Sequence, residues 1–131
     1  MPSIFSRLVN GEIPCYKIAE DENYFSFLDI NPLVKGHTLV IPKKEVDYIF
    51  DIDSELYDGL WTFAKRISKA VEKGVPCKRI GIAVIGLEVP HAHIHLIPMN
   101  RVSDMNFANP KLKIPPGELE AIAEKIRSFL I

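Results

Sequence analysis

The sequence predicts an α+β fold: a mostly antiparallel sheet of about five strands, carrying a central helix and a C-terminal helix. Three observations lead there. Short apolar segments recur between turn residues at 15–19, 24–28, 36–42, 79–85 and 90–98. One longer segment, 54–73, carries apolar residues at helical spacing. The composition, 47% hydrophobic and 25% charged, is that of a chain that buries a core.

Each element has its own signal. Ile4, Phe5, Leu8 and Val9 have helical spacing, and Asn10-Gly11 ends that short helix. The polar run Glu20-Asp21-Glu22-Asn23 joins strands 15–19 and 24–28 as a hairpin. Asp29-Ile30-Asn31-Pro32 breaks the pattern, and strand 36–42 follows between Gly36 and Pro42. In helix 54–73, Leu56, Leu60, Phe63, Ile67, Ala70 and Val71 form one stripe. Asp53 or Ser54 caps its start, and Gly74 with Pro76 supplies the stop. Glu55 and Asp58 early, with Lys69 and Lys73 late, complement the helix dipole. Tyr57 and Trp61 stand one turn apart beside the stripe, as a widened core face or a partner surface. After strands 79–85 and 90–98, residues 99–116 read as loop. Pro115-Pro116 then opens a helix whose apolar face is Leu119, Ile122, Ile126 and Phe129. Residues 1–131 read as one domain, with the motifs in 1–100 and a loop and helix in 101–131.

Charge and cysteines narrow the setting. A net charge of -1 argues against binding nucleic acid through bulk electrostatics, yet leaves room for a single nucleotide. Cys15 and Cys77 form no C-x-x-C pair and suit free thiols in a reducing compartment; a single disulfide stays open. No apolar run is long enough for a bilayer, and the N-terminus carries no signal-peptide pattern, so a cytoplasmic protein without membrane contact is expected.

The most informative run is His91-Ala92-His93-Ile94-His95-Leu96-Ile97-Pro98. Alternation puts three imidazoles on one face of a strand and Ala92, Ile94 and Leu96 on the other. Neighbouring rings would stand roughly 7 Å apart along such a strand. The residues alone leave several chemistries open. Two histidines one residue apart can share a metal with a third ligand, Glu88 being a nearby carboxylate. Alternatively, one imidazole is a nucleophile and its neighbours are acid/base or electrostatic helpers. A plain structural strand is the third reading. A neutral imidazole attacks phosphorus well, and phosphoimidazole is then open to water, so one hard displacement becomes two easier ones. His93, flanked on both sides, is the geometric choice for nucleophile.

That run resembles the signature of the histidine triad family. Phe27-Leu28-Asp29-Ile30-Asn31-Pro32, then Gly36-His37-Thr38-Leu39-Val40-Ile41-Pro42-Lys43, is similar to the family's aspartate-to-histidine segment. Ile4-Phe5 and Gly11-Glu12-Ile13-Pro14 also fit, so the likeness covers the first hundred residues or so. The resemblance implies His93 as the nucleophile that takes up a nucleotidyl group, and His95 as the contact to phosphate and leaving group. It implies His91 as the member that orders the site, and His37 as the histidine packed behind it. By the same likeness Asp29 accepts from the ribose hydroxyls, and Phe5, Leu8, Phe27 and Ile30 line the base pocket. It further implies a homodimer formed through the central helix and a strand, a purine nucleotide or nucleotide conjugate as ligand, and no metal or cofactor in the chemical step. The structural zinc of some bacterial members uses N-terminal cysteines that Phe5-Ser6-Arg7-Leu8 lacks.

The chain also departs from the pattern. Gly86-Leu87 stands where many members carry Gly-Gln, and the segment from Val84 to His91 is short and lacks an Asn-x-Gly run. Glu88 is a candidate contact to a leaving amine. His95, where the transferase branch commonly has glutamine, favours hydrolysis. The expected function is therefore a hydrolase of nucleoside 5'-phosphoramidates or dinucleoside polyphosphates, acting through a nucleotidyl-histidine. The alternative is a catalytically weak nucleotide-binding sensor.

Overall fold

Turn residues between short apolar runs fold this chain into one sheet. The computed structural model describes residues 2–130; Met1 and Ile131, the ends of the 1–131 unit, lie outside the described residues. The strands are β1 (Lys17–Glu20), β2 (Tyr24–Leu28), β3 (Thr38–Pro42), β4 (Arg79–Ala83) and β5 (Ile94–Met99). The helices are α1 (Ile4–Val9), α2 (Ser54–Gly74) and α3 (Pro116–Arg127), with short 3-10 turns at Ile49–Asp51 and Val102–Met105. Strand order is β1-β2-β3-β5-β4, and every neighbouring pair is antiparallel. The chain reaches β5 from β3 by way of α2 and β4, which leaves β4 on an edge.

The α2 stripe folds as its spacing predicts. Asp53 caps it by accepting from the Leu56 N–H, and Leu60, Phe63, Ala64, Ile67, Ala70 and Val71 are buried. Burying each of the larger ones contributes about 1.5–3 kcal/mol. α2 packs over β3 and β5 and α3 over β1, building one core with Leu28, Val40, Ala92, Ile94 and Leu96. Gly74 does not stop the helix as expected. It is the last helical residue, and a Cβ there would come within 3.0 Å of the Ile126 Cα, so its job is the close α2–α3 approach. In α3, Leu119, Ala123 and Ile126 are the buried face, while Phe129 falls past the helix end and is exposed.

Four strands are shorter or shifted relative to expectation. Residues 15, 16, 36, 37, 84 and 85 fall outside the ladders, and β1 runs on to Glu20. The largest difference concerns 90–98, where pairing begins only at Ile94. Ahead of it, the Ala92 N–H donates to the Val46 carbonyl (2.7 Å) and the His91 N–H to the Val89 carbonyl (2.8 Å). The His91 ring itself takes the Pro42 carbonyl, and Pro42 has no N–H to offer a ladder. The alternation survives without the ladder: Ala92, Ile94 and Leu96 still enter the helix-covered core.

The opposite face of the sheet is covered differently. Phe5 of α1 packs with Phe25, Phe27, Leu39 and Ile41, with Leu8, Val9, Cys15 and Val89 around them. This thinner layer frames the histidines. Among the described residues, no helix is long and apolar enough to cross a membrane.

Candidate active site

Three stretches of chain bring the histidines together. β5 carries His95, the stretch just before it carries His91 and His93, and the residue ahead of β3 is His37. β3–β5 pairing sets Leu39 opposite His95 and so brings His37 close. The His93 and His95 rings meet edge-on with centroids 4.9 Å apart, nearer than the roughly 7 Å of strand spacing. All four histidines are buried.

Hydrogen bonds assign the proton on every ring. The Leu33 N–H donates to His37 Nδ1 (3.1 Å), so the His37 proton is on Nε2. That Nε2–H donates to His95 Nδ1 (2.9 Å), which leaves the His95 proton on Nε2. His93 Nδ1–H donates to the His91 carbonyl (2.8 Å), so its Nε2 keeps a lone pair. His91 Nε2–H donates to the Pro42 carbonyl (2.7 Å). One bare nitrogen and one N–H donor therefore lie on adjacent rings, set by backbone groups.

Burial holds the His37, His91 and His95 rings neutral. Burial pulls His37 down to about 3, helped by His95 and Lys111. Burial and the neighbouring His93 pull His95 down to about 4. His91 is also lowered, mainly by burial. Burial raises the Asp29 carboxyl, against the Asn31 N–H that donates to its Oδ1 (2.8 Å). Asp29 Oδ2 lies 3.7 Å from His37 Nε2, but a neutral imidazole makes this no ion pair.

Asp29, His37 and His95 each offer one ligand atom, all within 4.8 Å of one another. They suit a metal poorly. The Leu33 N–H holds the His37 proton on Nε2, where a cation would need the lone pair, and His95 Nδ1 already accepts that proton.

The remaining predicted residues fall in different places. Phe5 meets the His93 ring edge-on at 5.0 Å and Phe27 at 5.4 Å. Leu8 is half-buried beside them, whereas Ile30 is 59% exposed and stands outside this cluster. Glu88 is exposed on the short loop before the triad, where its charge reaches Asp29. Leu87 on that loop is 89% exposed. Some neighbours carried no signal in the sequence. Phe107 lies 4.9 Å from His95 and 6.3 Å from His37, so the loop after β5 folds over its own chain's site. Lys111 Nζ staples that loop through the Phe107 and Asn109 carbonyls, and the Leu112 N–H ties it to the Pro32 carbonyl. Ser3, Ser6 and Glu45 gather around His91.

Comparison with known proteins gives a consistent result. Residues 10–102 match the model of the HIT domain. The chain is 33% identical over 130 residues to the adenosine 5'-monophosphoramidase of Schizosaccharomyces pombe, covering 98% of each protein. It is 35% identical over 96 residues to that of Saccharomyces cerevisiae, covering 72% of this chain and 61% of the yeast protein. The crystal structure of a HIT-like protein from Bartonella henselae superposes with a TM-score of 0.84 at 33% identity, over 96% of this chain and 94% of the other.

Proposed function

The chain belongs to the HIT-domain family, and from that membership we propose a hydrolase that cleaves a purine nucleoside 5'-phosphoramidate or a dinucleoside polyphosphate through a covalent nucleotidyl-His93. One observation carries the reading: the bare Nε2 of His93 stands beside the Nε2–H donor of His95, each tautomer set by backbone. The two fungal relatives named as adenosine 5'-monophosphoramidases support the substrate class.

In the proposed reaction His93 Nε2 attacks the α-phosphorus as the bond to the leaving group breaks. The leaving amine or phosphate takes a proton from solvent. His95 Nε2–H stabilises the phosphoryl oxygens rather than giving up its proton, because an imidazolate behind it would be costly. Water then attacks phosphorus and gives up a proton to solvent, the P–Nε2 bond breaks with its electron pair returning to His93 Nε2, and the nucleoside monophosphate leaves. Asp29 receives the ribose hydroxyls, and Phe5, Leu8, Phe27 and Ile30 border the base, with Glu88 beside the leaving group. No cofactor or metal takes part.

We place the protein in the cytoplasm, where the free Cys15 and Cys77 would stay reduced. We also infer a homodimer through β4 and α2.

The test is incubation with adenosine 5'-phosphoramidate or diadenosine polyphosphate labelled at the α-phosphate, with rapid quenching. Label on His93 and release of AMP are expected. His93→Ala should abolish turnover and still bind nucleotide. Turnover that persists in His93→Ala would move the nucleophile elsewhere, and binding without turnover in the unaltered chain would make this a sensor.

A further inference from the structure

His91 is fully buried and is engaged at both ring nitrogens, by the Pro42 carbonyl and the Ser3 hydroxyl. Three stretches of chain converge on it. Ser3 stands at the start of α1, Ser6 lies one turn later, and Glu45 follows β3. Glu45 Oε1 accepts from the Ser3 N–H (2.6 Å) and from the Ser6 Oγ–H (2.7 Å). The Ser3 Oγ accepts from the Ser6 N–H (3.0 Å) and lies 2.8 Å from His91 Nδ1.

The proton directions follow from what is already committed. His91 gives its Nε2–H to Pro42, so its Nδ1 is an acceptor in the neutral ring. Ser6 spends its only hydroxyl proton on Glu45, so its 3.4 Å approach to His91 Nδ1 adds no donor. Ser3 is therefore the donor to His91. The next residue after Glu45 holds the same stretch of chain: the Val46 carbonyl accepts from the Ala92 N–H (2.7 Å). The ring and the following peptide of His91 are thus held from both sides. The carbonyl of that peptide is the one that receives the Nδ1 proton of His93.

We propose that Glu45, through Ser3 and Ser6, is a positioning residue for the nucleophile: it locks His91 so that the His91 carbonyl keeps the His93 proton on Nδ1. The carboxylate touches neither His93 nor any reacting atom. It acts by anchoring the Ser3 N–H and the Ser6 hydroxyl, which places the Ser3 Oγ 2.8 Å from His91 Nδ1, nearer than its other acceptor, the Ser6 Oγ at 3.4 Å. Burial alone would not do this, because a neutral His91 could equally present Nδ1–H and turn its ring away from Pro42. The proposal rests on His93 as nucleophile, but its direct consequence is a tautomer, which can be read without turnover.

The experiment compares the unaltered chain with Glu45→Ala, Glu45→Gln and Ser3→Ala. Tautomers of His91 and His93 are read by long-range nitrogen-15 correlation of histidine-labelled protein. Hydrolysis is measured with adenosine 5'-phosphoramidate. The unaltered chain should show Nδ1–H at His93 and Nε2–H at His91. In Glu45→Ala and Ser3→Ala both tautomers of His93 should be populated, with kcat down about ten-fold and KM changed less than about two-fold. Glu45→Gln keeps an accepting oxygen and should restore most of the kcat that Glu45→Ala loses. If Glu45→Ala fails to fold, Ser3→Ala carries the same prediction. A pure Nδ1–H signal at His93 in a folded Ser3→Ala or Glu45→Ala protein would overturn the proposal. So would equal loss of kcat in Glu45→Gln and Glu45→Ala. An unaltered chain with the expected tautomers and no turnover would count against the hydrolase reading and leave this network supported.

Discussion

The alternation of His91, His93 and His95 was legible from spacing, because a period of two needs only neighbours in sequence. The partner of His95 was not. His37 reaches it through the β3–β5 register, and a register is a long-range property that no local pattern encodes. That buried pair has a consequence for acid stability. In the unfolded chain both rings titrate near 6.5; in the fold they titrate at about 3 and about 4. Between those values the unfolded state binds more protons than the native state, so stability rises with pH. The contribution is fully present above pH 6.5 and is lost as pH falls toward the folded values. Each ring should lose about 2 kcal/mol between pH 8 and pH 5. His91 adds to the slope in the same direction. Asp29, with its raised carboxyl, opposes it only at the acid end, and Lys111 and His93 help keep the pair neutral. Urea unfolding across this range should show the fall, and His37→Gln should remove roughly half of what the pair contributes. A profile that stays flat from pH 8 to pH 5 would mean that the rings are not held neutral.

At the scale of elements, α2 was readable from cap to final turn, since its stripe and Asp53 are local signals. The strand ends were not readable. Ladder limits depend on what the facing chain does, as the His91 ring shows when it takes the Pro42 carbonyl and delays β5 to Ile94. Nor could the sequence tell that Phe107 covers His95, because the loop that carries it has no periodicity. The α2–β2 contact makes a prediction that runs against helix propensity. Gly59 lies inside α2, where alanine would normally be favoured by about 1 kcal/mol. Here a Cβ would collide with the Tyr24 hydroxyl, which donates to the Leu56 carbonyl (2.9 Å) and holds the ring on Phe63 (centroids 5.5 Å apart). Gly59→Ala should therefore destabilise the protein by about 1–3 kcal/mol, as overpacked cores do. Tyr24→Phe in the same chain should recover only part of the loss, because the ring carbon itself stands 2.8 Å from that Cβ. Thermal denaturation of the two variants would read this, and a more stable Gly59→Ala would show that Tyr24 swings away freely.

At the scale of the whole molecule, the question is what meets β4. It is an edge strand, paired only with β5. Its outer side and the segment after it expose Ile82 (53%), Ile85 (45%) and Leu87 (89%). Next to them, Tyr48, Phe50, Tyr57 and Trp61 line a surface cavity of about 360 Å³ with Val84 and Ile85. The Trp61 indole N–H is buried with no hydrogen-bond partner among the described residues. An exposed apolar edge is an invitation to pair, and a lone chain commonly blunts it with charge or proline. A second copy would answer each of these features by a two-fold contact, β4 beside β4 and α2 beside α2. The Tyr57 and Trp61 stripe, ambiguous in the sequence, would then face a partner as well as the core. Sedimentation should give twice the 14.8 kDa chain mass at micromolar concentration. Ile82→Lys should shift the protein to monomer, while Leu60, on the buried side of α2, keeps the fold intact. Such a contact would also bear on the proposed hydrolysis, because Ala83 is paired with His95 across β4–β5. Bracing β4 stiffens the strand that carries His95, so the Ile82→Lys monomer should lose hydrolysis more than it loses nucleotide binding. A species of single-chain mass in the unaltered protein, with full activity, would show that β4 needs no second copy.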